Sequence, residues 1–170
     1  MPLPIAHGLV RASIVAAMHP KPVSRYCLPL LIGAFLANCP DVDFILVWVF
    51  HSRAWHRAFS HSLFFALAVG FITFLLLGKT LIKEAVAYGL AFMSHGILDY
   101  VTTKEGGGVE LLFPVSSERL KLGLVGLSEI PSRLTLAKLL MAVTIEVVIF
   151  VPLFVAVMLA KKQLSGWEIN

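Results

Sequence analysis

Long apolar runs separated by short polar clusters are the main pattern of this chain. Runs of this kind, bounded by proline, glycine or charged residues, predict α-helices joined by short turns. The last run contains a single acidic residue, Glu146, and is the strongest candidate to span a membrane. A connector follows the fifth helix, at residues 102–132. The helices are predicted at residues 5–18, 26–38, 43–50, 62–77, 82–100 and 136–160.

Four polar clusters lie where predicted helices begin or end. Because residues 62–77 and 82–100 form an up-down pair, the start of one helix and the end of the other lie at the same depth. A hairpin formed by the short helices at 5–18 and 26–38 brings His7 and Asp41 to a common end in the same way. We therefore expect one polar site at the helix mouths. The clusters are His7; Asp41 and Asp43; His56, Arg57, Ser60, His61 and Ser62; and His95 and Asp99.

The composition places these helices in a membrane. Of 170 residues, 58% are hydrophobic and 14% are charged, whereas a soluble domain has about 25% charged residues. The sequence therefore predicts one domain over residues 1–170, an all-α, polytopic integral membrane helical bundle with a metal site at the helix mouths. The net charge of +4 comes from residues at the ends of apolar runs, which favours membrane lipid and not nucleic acid as the partner. The pattern sets no oligomeric state.

The clusters supply four imidazoles and three carboxylates as candidate metal ligands. These nitrogen and oxygen donors suit zinc, with manganese or iron as alternatives. They exceed the roughly four ligands of one zinc ion and suffice for two ions. Taken singly, a histidine on an apolar helix is more often structural, and Asp41 could be a helix cap. The candidates are His7, Asp41, Asp43, His56, His61, His95 and Asp99.

Other residues of the clusters have candidate roles around the metal. Asp41 or Asp43 could act as a bridging ligand or general base. The guanidinium of Arg57 suits an anionic group, and its alternative is a buried salt bridge to Asp41 or Asp99. Four hydroxyls could bind supporting residues or substrate oxygens, although each is more often a helix cap or back-bond; they belong to Ser60, which we expect to cap the helix at 62–77, Ser62, Thr102 and Thr103.

The motifs, in this order, resemble the YdjM family of membrane-bound metal-dependent hydrolases. The resemblance covers about residues 5–120 and includes Thr102-Thr103 followed by Gly108-Val109-Glu110-Leu111-Leu112-Phe113-Pro114. It implies a multi-pass protein of a bacterial or archaeal inner (cytoplasmic) membrane. The family is distantly similar to zinc-dependent phospholipases C, which implies a phospholipid or another lipid-linked phosphoester as substrate. The chain departs from the family pattern after Thr103, where Lys104-Glu105 replaces a Tyr-Gly-like pair.

Two classes of function remain open at this stage. The leading expectation is metal-dependent hydrolysis at the membrane. The alternative is a non-catalytic metal-binding membrane protein or ion carrier that uses the same ligands. A transporter is disfavoured, because the sequence lacks paired broken helices in two halves.

Overall fold

In the computed structural model, the chain is described at residues 4–18, 35, 38–104, 107–124 and 135–164. Within these ranges the structure is all-α, with one isolated antiparallel bridge between Val109 and Leu120. The all-α prediction is therefore confirmed for this part of the chain, whereas the helix predicted at 26–38 lies mainly outside it. The described α-helices are α1 (Pro4–Met18), α2 (Phe44–Phe50), α3 (Leu63–Leu77), α4 (Ile82–Thr102) and α5 (Leu136–Leu164).

Local hydrogen bonds define where α3 begins and ends. The hydroxyl of Ser62 accepts a hydrogen bond from the Phe65 N–H at 3.1 Å, so Ser62 is the N-cap. The prediction that Ser60 caps this helix is wrong, because its backbone lies within a 3₁₀ turn and its hydroxyl points elsewhere. At the other end, Gly78 has a φ of 76° and donates its N–H to the Phe74 carbonyl at 2.8 Å. Glycine adopts this left-handed φ without steric cost.

The helices α3 and α4 pack against each other as the predicted up-down pair. The rings of Phe65 and Phe92 lie 5.7 Å apart near one end of the pair. Further along, a Cβ atom on Gly89 would lie 3.1 Å from the Cα of Gly70, so the two glycines let the helices approach closely and a larger residue would push them slightly apart. The antiparallel pairing places the start of α3 beside the end of α4, where two polar clusters lie.

Helix α1 packs against both α4 and α5. Val15 contributes to a buried cluster with Tyr88 of α4, and Ala6 packs with Phe150 of α5. The Ala6 N–H donates to Glu146 Oε2 at 3.0 Å, in a fully buried position. This bond satisfies one of the free N–H groups at the start of α1 and fixes the residue next to His7.

One helix of the described residues is long and apolar enough on its own to cross a bilayer. It is α5, whose apolar part spans Leu136–Gln163 over 28 residues. Helix α3 has 15 residues and reaches about 22 Å at roughly 1.5 Å per residue, short of the ~30 Å hydrocarbon core. It is long and apolar enough to cross a bilayer only together with the preceding segment Arg53–His61, from which it is bent by 51°. By length and composition, the described residues thus hold one helix, or at most two, that could span a membrane.

Replacing Glu146 by leucine tests the contact between α1 and α5. Because the buried Ala6 N–H loses its acceptor, we expect the free energy of unfolding to fall by about 1–3 kcal/mol. Thermal unfolding of the full chain in detergent, followed by circular dichroism, measures the change. The control is Thr144→Leu on the exposed face of the same helix, for which we expect a change within about 0.5 kcal/mol. Equal effects of the two substitutions would contradict the proposed contact.

Candidate metal centre

The loop between α2 and α3 carries two of the candidate histidines and has a strained turn at Arg57. This residue has a φ of 59°, a conformation that costs a non-glycine residue about 1–3 kcal/mol. Two hydrogen bonds hold it in place. Its N–H donates to Asp43 Oδ2 at 3.0 Å, and its carbonyl accepts from the Glu110 N–H at 3.0 Å. The loop is therefore fixed both to the segment before α2 and to the connector after α4.

The carboxylate of Asp43 organises this loop. Its Oδ1 lies 2.8 Å from His56 Nδ1, and its Oδ2 accepts from the Ser60 hydroxyl at 2.8 Å as well as from the Arg57 N–H. His61 Nδ1 lies 3.4 Å from the same Oδ2. Asp43 thus contacts both candidate histidines of the loop, His56 and His61, and sets the position of the turn between them.

Five of the seven predicted ligands meet in one cluster of buried and half-buried side chains. His7 Nε2 lies 3.5 Å from Asp99 Oδ1, and His95 Nε2 lies 3.3 Å from Asp41 Oδ1. His61 Nε2 joins the two pairs, at 3.6 Å from Asp41 Oδ1 and 3.7 Å from Asp99 Oδ2. The His7 and His95 rings stack with centroids 3.9 Å apart. All four sequence clusters therefore contribute to one site.

The donor atoms of this cluster fit a divalent metal ion. Within the described part of the chain they form two groups, His7 with His95 and Asp99, and Asp41 with His61 and His95, and each has its donor atoms within 4.8 Å of one another. Their separations of 3.3–3.7 Å are longer than an ordinary hydrogen bond between nitrogen and oxygen. They are close to the ~3.4 Å edge of a tetrahedron with ~2.1 Å metal–ligand bonds.

Several of these atoms also lack any other partner. His7 Nε2, His61 Nε2, Asp41 Oδ1 and Asp99 Oδ1 are buried and have no hydrogen-bond partner among the described residues. A buried polar atom without a partner costs about 1–3 kcal/mol, and a bound cation would offset this cost for several such atoms together. Because the two donor groups share His95, they form one contiguous cluster.

The other two predicted ligands lie just outside these groups. Asp43 bonds the loop, and His56 stacks on Phe44 with ring centroids 4.0 Å apart. The His56 side chain is 17% exposed, whereas His61 and His95 are buried. As metal ligands, Asp43 and His56 stay predictions; their position suits a supporting role, in which Asp43 orients the imidazoles.

Of the predicted supporting residues, some contact the carboxylates of the site and others bond only to the backbone of their own helix. Arg57 is buried, and its Nε lies 3.1 Å from Asp99 Oδ2, which is the ion pair foreseen as the alternative to anion binding. Ser60 reaches Asp43, whereas Ser62 caps α3. The Thr102 hydroxyl donates to the Leu98 carbonyl of its own helix at 2.6 Å. The Thr103 hydroxyl is fully buried and has no hydrogen-bond partner within the described ranges.

The imidazoles stabilise the charged forms of Asp41 and Asp43, the two carboxylates before α2. Burial acts to raise the pKa of Asp41, but contacts with His61 and His95 outweigh it and hold this pKa well below its ordinary value. Burial also acts to raise the pKa of Asp43, and contacts with His56 and His61 likewise lower it. Both groups are therefore anionic at neutral pH, the form in which a carboxylate binds a metal.

Sequence reasoning placed Arg11 with His7 on the polar face of the first helix but gave neither Arg11 nor Gly96 a role in the site. A Cβ atom on Gly96 would lie 2.1 Å from the His61 carbonyl oxygen, so this glycine lets the loop approach α4 between His95 and Asp99. Arg11 is fully buried one turn after His7 on α1. The Gly within the His-Gly-Ile-Leu-Asp motif and the i, i+4 spacing of His7 and Arg11 were the available signals.

Comparisons with known proteins point in one direction. Residues 1–167 match the family described as YdjM inner membrane protein. The chain is also 33% identical over 127 residues to the inner membrane protein YbcI of Escherichia coli (strain K12), and the match covers 70% of this chain and 71% of that protein. No solved structure matches the chain.

Replacing Gly96 by alanine tests the contact that places His61. Because the added methyl group must push the His61 backbone away, we expect weaker zinc binding and a loss of about 1–3 kcal/mol in the free energy of unfolding. Competition with a chromophoric chelator measures zinc affinity, and thermal unfolding measures stability. The matched control is Gly8→Ala, where nothing lies within 4 Å of the new atom and stability should rise by up to about 1 kcal/mol. Unchanged zinc affinity in Gly96→Ala would refute this role.

Proposed function

The chain belongs to the YdjM inner membrane protein family, and we propose that it is a metal-dependent hydrolase of that membrane. We propose as its substrate the phosphoester of a phospholipid or another lipid-linked phosphate. The observation that carries this proposal is the set of buried nitrogen and oxygen donors, 3.3–3.7 Å apart. Donors of this kind without thiolate are typical of hydrolytic metal sites.

The proposal includes a multi-pass arrangement in which α3 and α4 enter the bilayer with α5. Large apolar side chains on the outer face of α3 support it, among them Leu76 at 80% exposure and Leu75 at 62%. Soluble proteins rarely expose a continuous apolar surface of this kind. The bend between Arg53–His61 and Leu63–Leu77 then puts the polar loop at the membrane surface, where a lipid headgroup lies.

Zinc is the first choice of metal, with manganese or iron as alternatives. Asp41, His61 and His95 would hold it. His7 and Asp99 offer further donors, either for a second ion or for the same ion bound closer to His7. When bound, such an ion lowers the pKa of a coordinated water and polarises a phosphoryl oxygen. The protein contributes preformed ligand positions, because the contacts of Asp43 with the loop hold His61 in place.

We propose that His56 moves the proton in the reaction. Its Nδ1 is held by Asp43 at 2.8 Å, and it is the partly exposed imidazole beside the buried cluster, 5.7 Å from the His61 ring centroid. A histidine oriented by a carboxylate through one nitrogen can accept and return a proton through the other. This pair therefore suits the general base role better than Asp43 acting alone, since Asp43 already accepts bonds on both oxygens.

One observation favours the non-catalytic alternative. The side chains of His7, His95 and Asp99 are at most 1% exposed, and a closed coordination shell is typical of structural metal sites. In this alternative the metal joins α1, the loop and α4 without turnover. Metal content alone does not separate the two functions, so the experiment needs a second readout.

Substitution of the proposed ligands tests the function. We expect Asp41→Ala and His95→Ala to lower zinc affinity by more than the roughly 10–100-fold that loss of a supporting residue costs. Metal per chain is measured by mass spectrometry after purification in detergent, and lipid turnover by mass spectrometry of a membrane lipid extract. His51→Asn is the control, because His51 is exposed with a φ of 50° that asparagine tolerates.

The two readouts assign each outcome to one function. The hydrolase predicts bound metal and lipid turnover in the wild type and the control, and loss of both in the ligand variants. Bound metal without turnover of any phosphoester in the extract supports the structural alternative. Equal metal content in all four proteins overturns the site itself.

A further inference from the structure

Arg11 is a buried cation that the proposed chemistry does not use. It lies on α1 one turn after His7, and its side chain is fully buried. Its Nε and both terminal guanidinium nitrogens have no hydrogen-bond partner in the described part of the chain. Arginine presents five N–H donors in a rigid fork, so this residue holds an unused set of donors inside the protein.

A position of this kind is costly without a ligand. Removing a charge from water costs several kcal/mol, which a protein normally offsets with a paired and hydrogen-bonded counterion. The carboxylates that act on Arg11 are Asp41 and Asp99. Both belong to the two donor groups, as does His7 one turn earlier on α1, so Arg11 lies on the side of the metal cluster.

These carboxylates are already directed at other groups. Asp99 has His7 on its Oδ1 and Arg57 and His61 on its Oδ2. Asp41 Oδ1 faces His95 and His61. The arginine fork therefore has its counter-charges nearby and no hydrogen bond to them, which leaves its N–H groups for a third party.

The charges of the site indicate which third party fits. The site holds three carboxylates, Asp41, Asp43 and Asp99, and two guanidiniums, Arg11 and Arg57. With the imidazoles neutral, as metal ligands are, one negative charge is left over. One divalent ion turns this into one positive charge. A phosphodiester carries a single negative charge at neutral pH and would neutralise it, and a guanidinium fork matches two phosphoryl oxygens.

We propose that Arg11 binds a phosphate-type oxyanion beside the metal cluster. The inference rests on the proposed function and deepens it, because it gives the substrate a charged anchor on α1. Arg57 differs from Arg11 in that its Nε faces Asp99. The same chemistry serves the phosphate of a lipid headgroup and free phosphate, and the experiment separates these sources.

Inorganic phosphate is the first probe. The full chain in phosphate-free detergent is titrated by calorimetry with and without saturating zinc, as wild type and as Arg11→Gln. We expect the substitution to weaken phosphate binding at least tenfold while zinc per chain stays at the wild-type level. The matched control is Arg53→Gln, an exposed arginine of the same loop as the histidines, and it should bind phosphate as the wild type does.

A second variant keeps the test decisive if Arg11→Gln does not fold. Arg11→Lys keeps the buried charge and loses the fork, so we expect a folded chain with weaker phosphate binding than the wild type. Phosphate affinity equal to the wild type in either folded variant overturns the proposal. A wild type without zinc contradicts the proposed function, whereas the ratio of phosphate affinities with and without Arg11 still tests this residue.

Short-chain lipids identify the source of the phosphate. Dioctanoyl phosphatidylglycerol and dioctanoylglycerol, which lacks the phosphate, are titrated into the wild type and Arg11→Gln. Loss of affinity on substitution for the phosphate-bearing lipid assigns Arg11 to a headgroup, and loss for inorganic phosphate alone assigns it to free phosphate. If neither probe depends on Arg11, the residue is a structural counterion and the proposal is wrong.

Discussion

The hydrogen bonds to Asp43 set the geometry on which the rest of the site depends. This one carboxylate accepts from the Ser60 hydroxyl and the Arg57 N–H and contacts His56, at 2.8–3.0 Å. Without it, the left-handed turn at Arg57 would lack one of the two bonds that hold it. The turn directs His61 towards α4, where Gly96 leaves room for its backbone. Asp43, just before α2, thus positions a ligand that contacts His95 and Asp99 of α4.

Several polar atoms of the cluster are buried without a hydrogen-bond partner among the described residues. His7, His61 and Asp99 place unpartnered atoms against one another in a region that water does not reach, and low dielectric makes such atoms expensive. A divalent ion among them would satisfy nitrogen and oxygen atoms together. Arg11, one turn after His7 on α1, is a cation that is likewise buried without a hydrogen-bond partner among the described residues. A metal and an oxyanion in adjacent positions would compensate both sets, which is the arrangement that phosphoester hydrolysis requires.

Sequence patterns predicted those parts of the structure that depend on local periodicity. The i, i+4 spacing of His95 and Asp99 places them on one face, and the up-down pair brings His61 to them, as the contacts show. Tertiary detail lay beyond these patterns. Ser60 and Ser62 are both serines near a helix start, and the 3₁₀ turn at Phe59–His61 decides which of them is the cap. The clearance at Gly96 depends on the His61 carbonyl, 35 positions away in the chain. Arg11 lacks a hydrogen-bond partner among the described residues because other groups already contact the carboxylates near it.

We propose that the polar clusters of this inner membrane protein form one nitrogen- and oxygen-ligated metal centre. X-ray absorption spectroscopy of the full chain, purified from its membrane without added metal, identifies the neighbours of any bound metal. We expect a bound divalent metal with nitrogen or oxygen neighbours at about 2.0–2.1 Å and the outer-shell scattering of imidazole rings. A sulfur neighbour at about 2.3 Å would assign the metal to the cysteines and rule out this centre, as would a chain purified without metal.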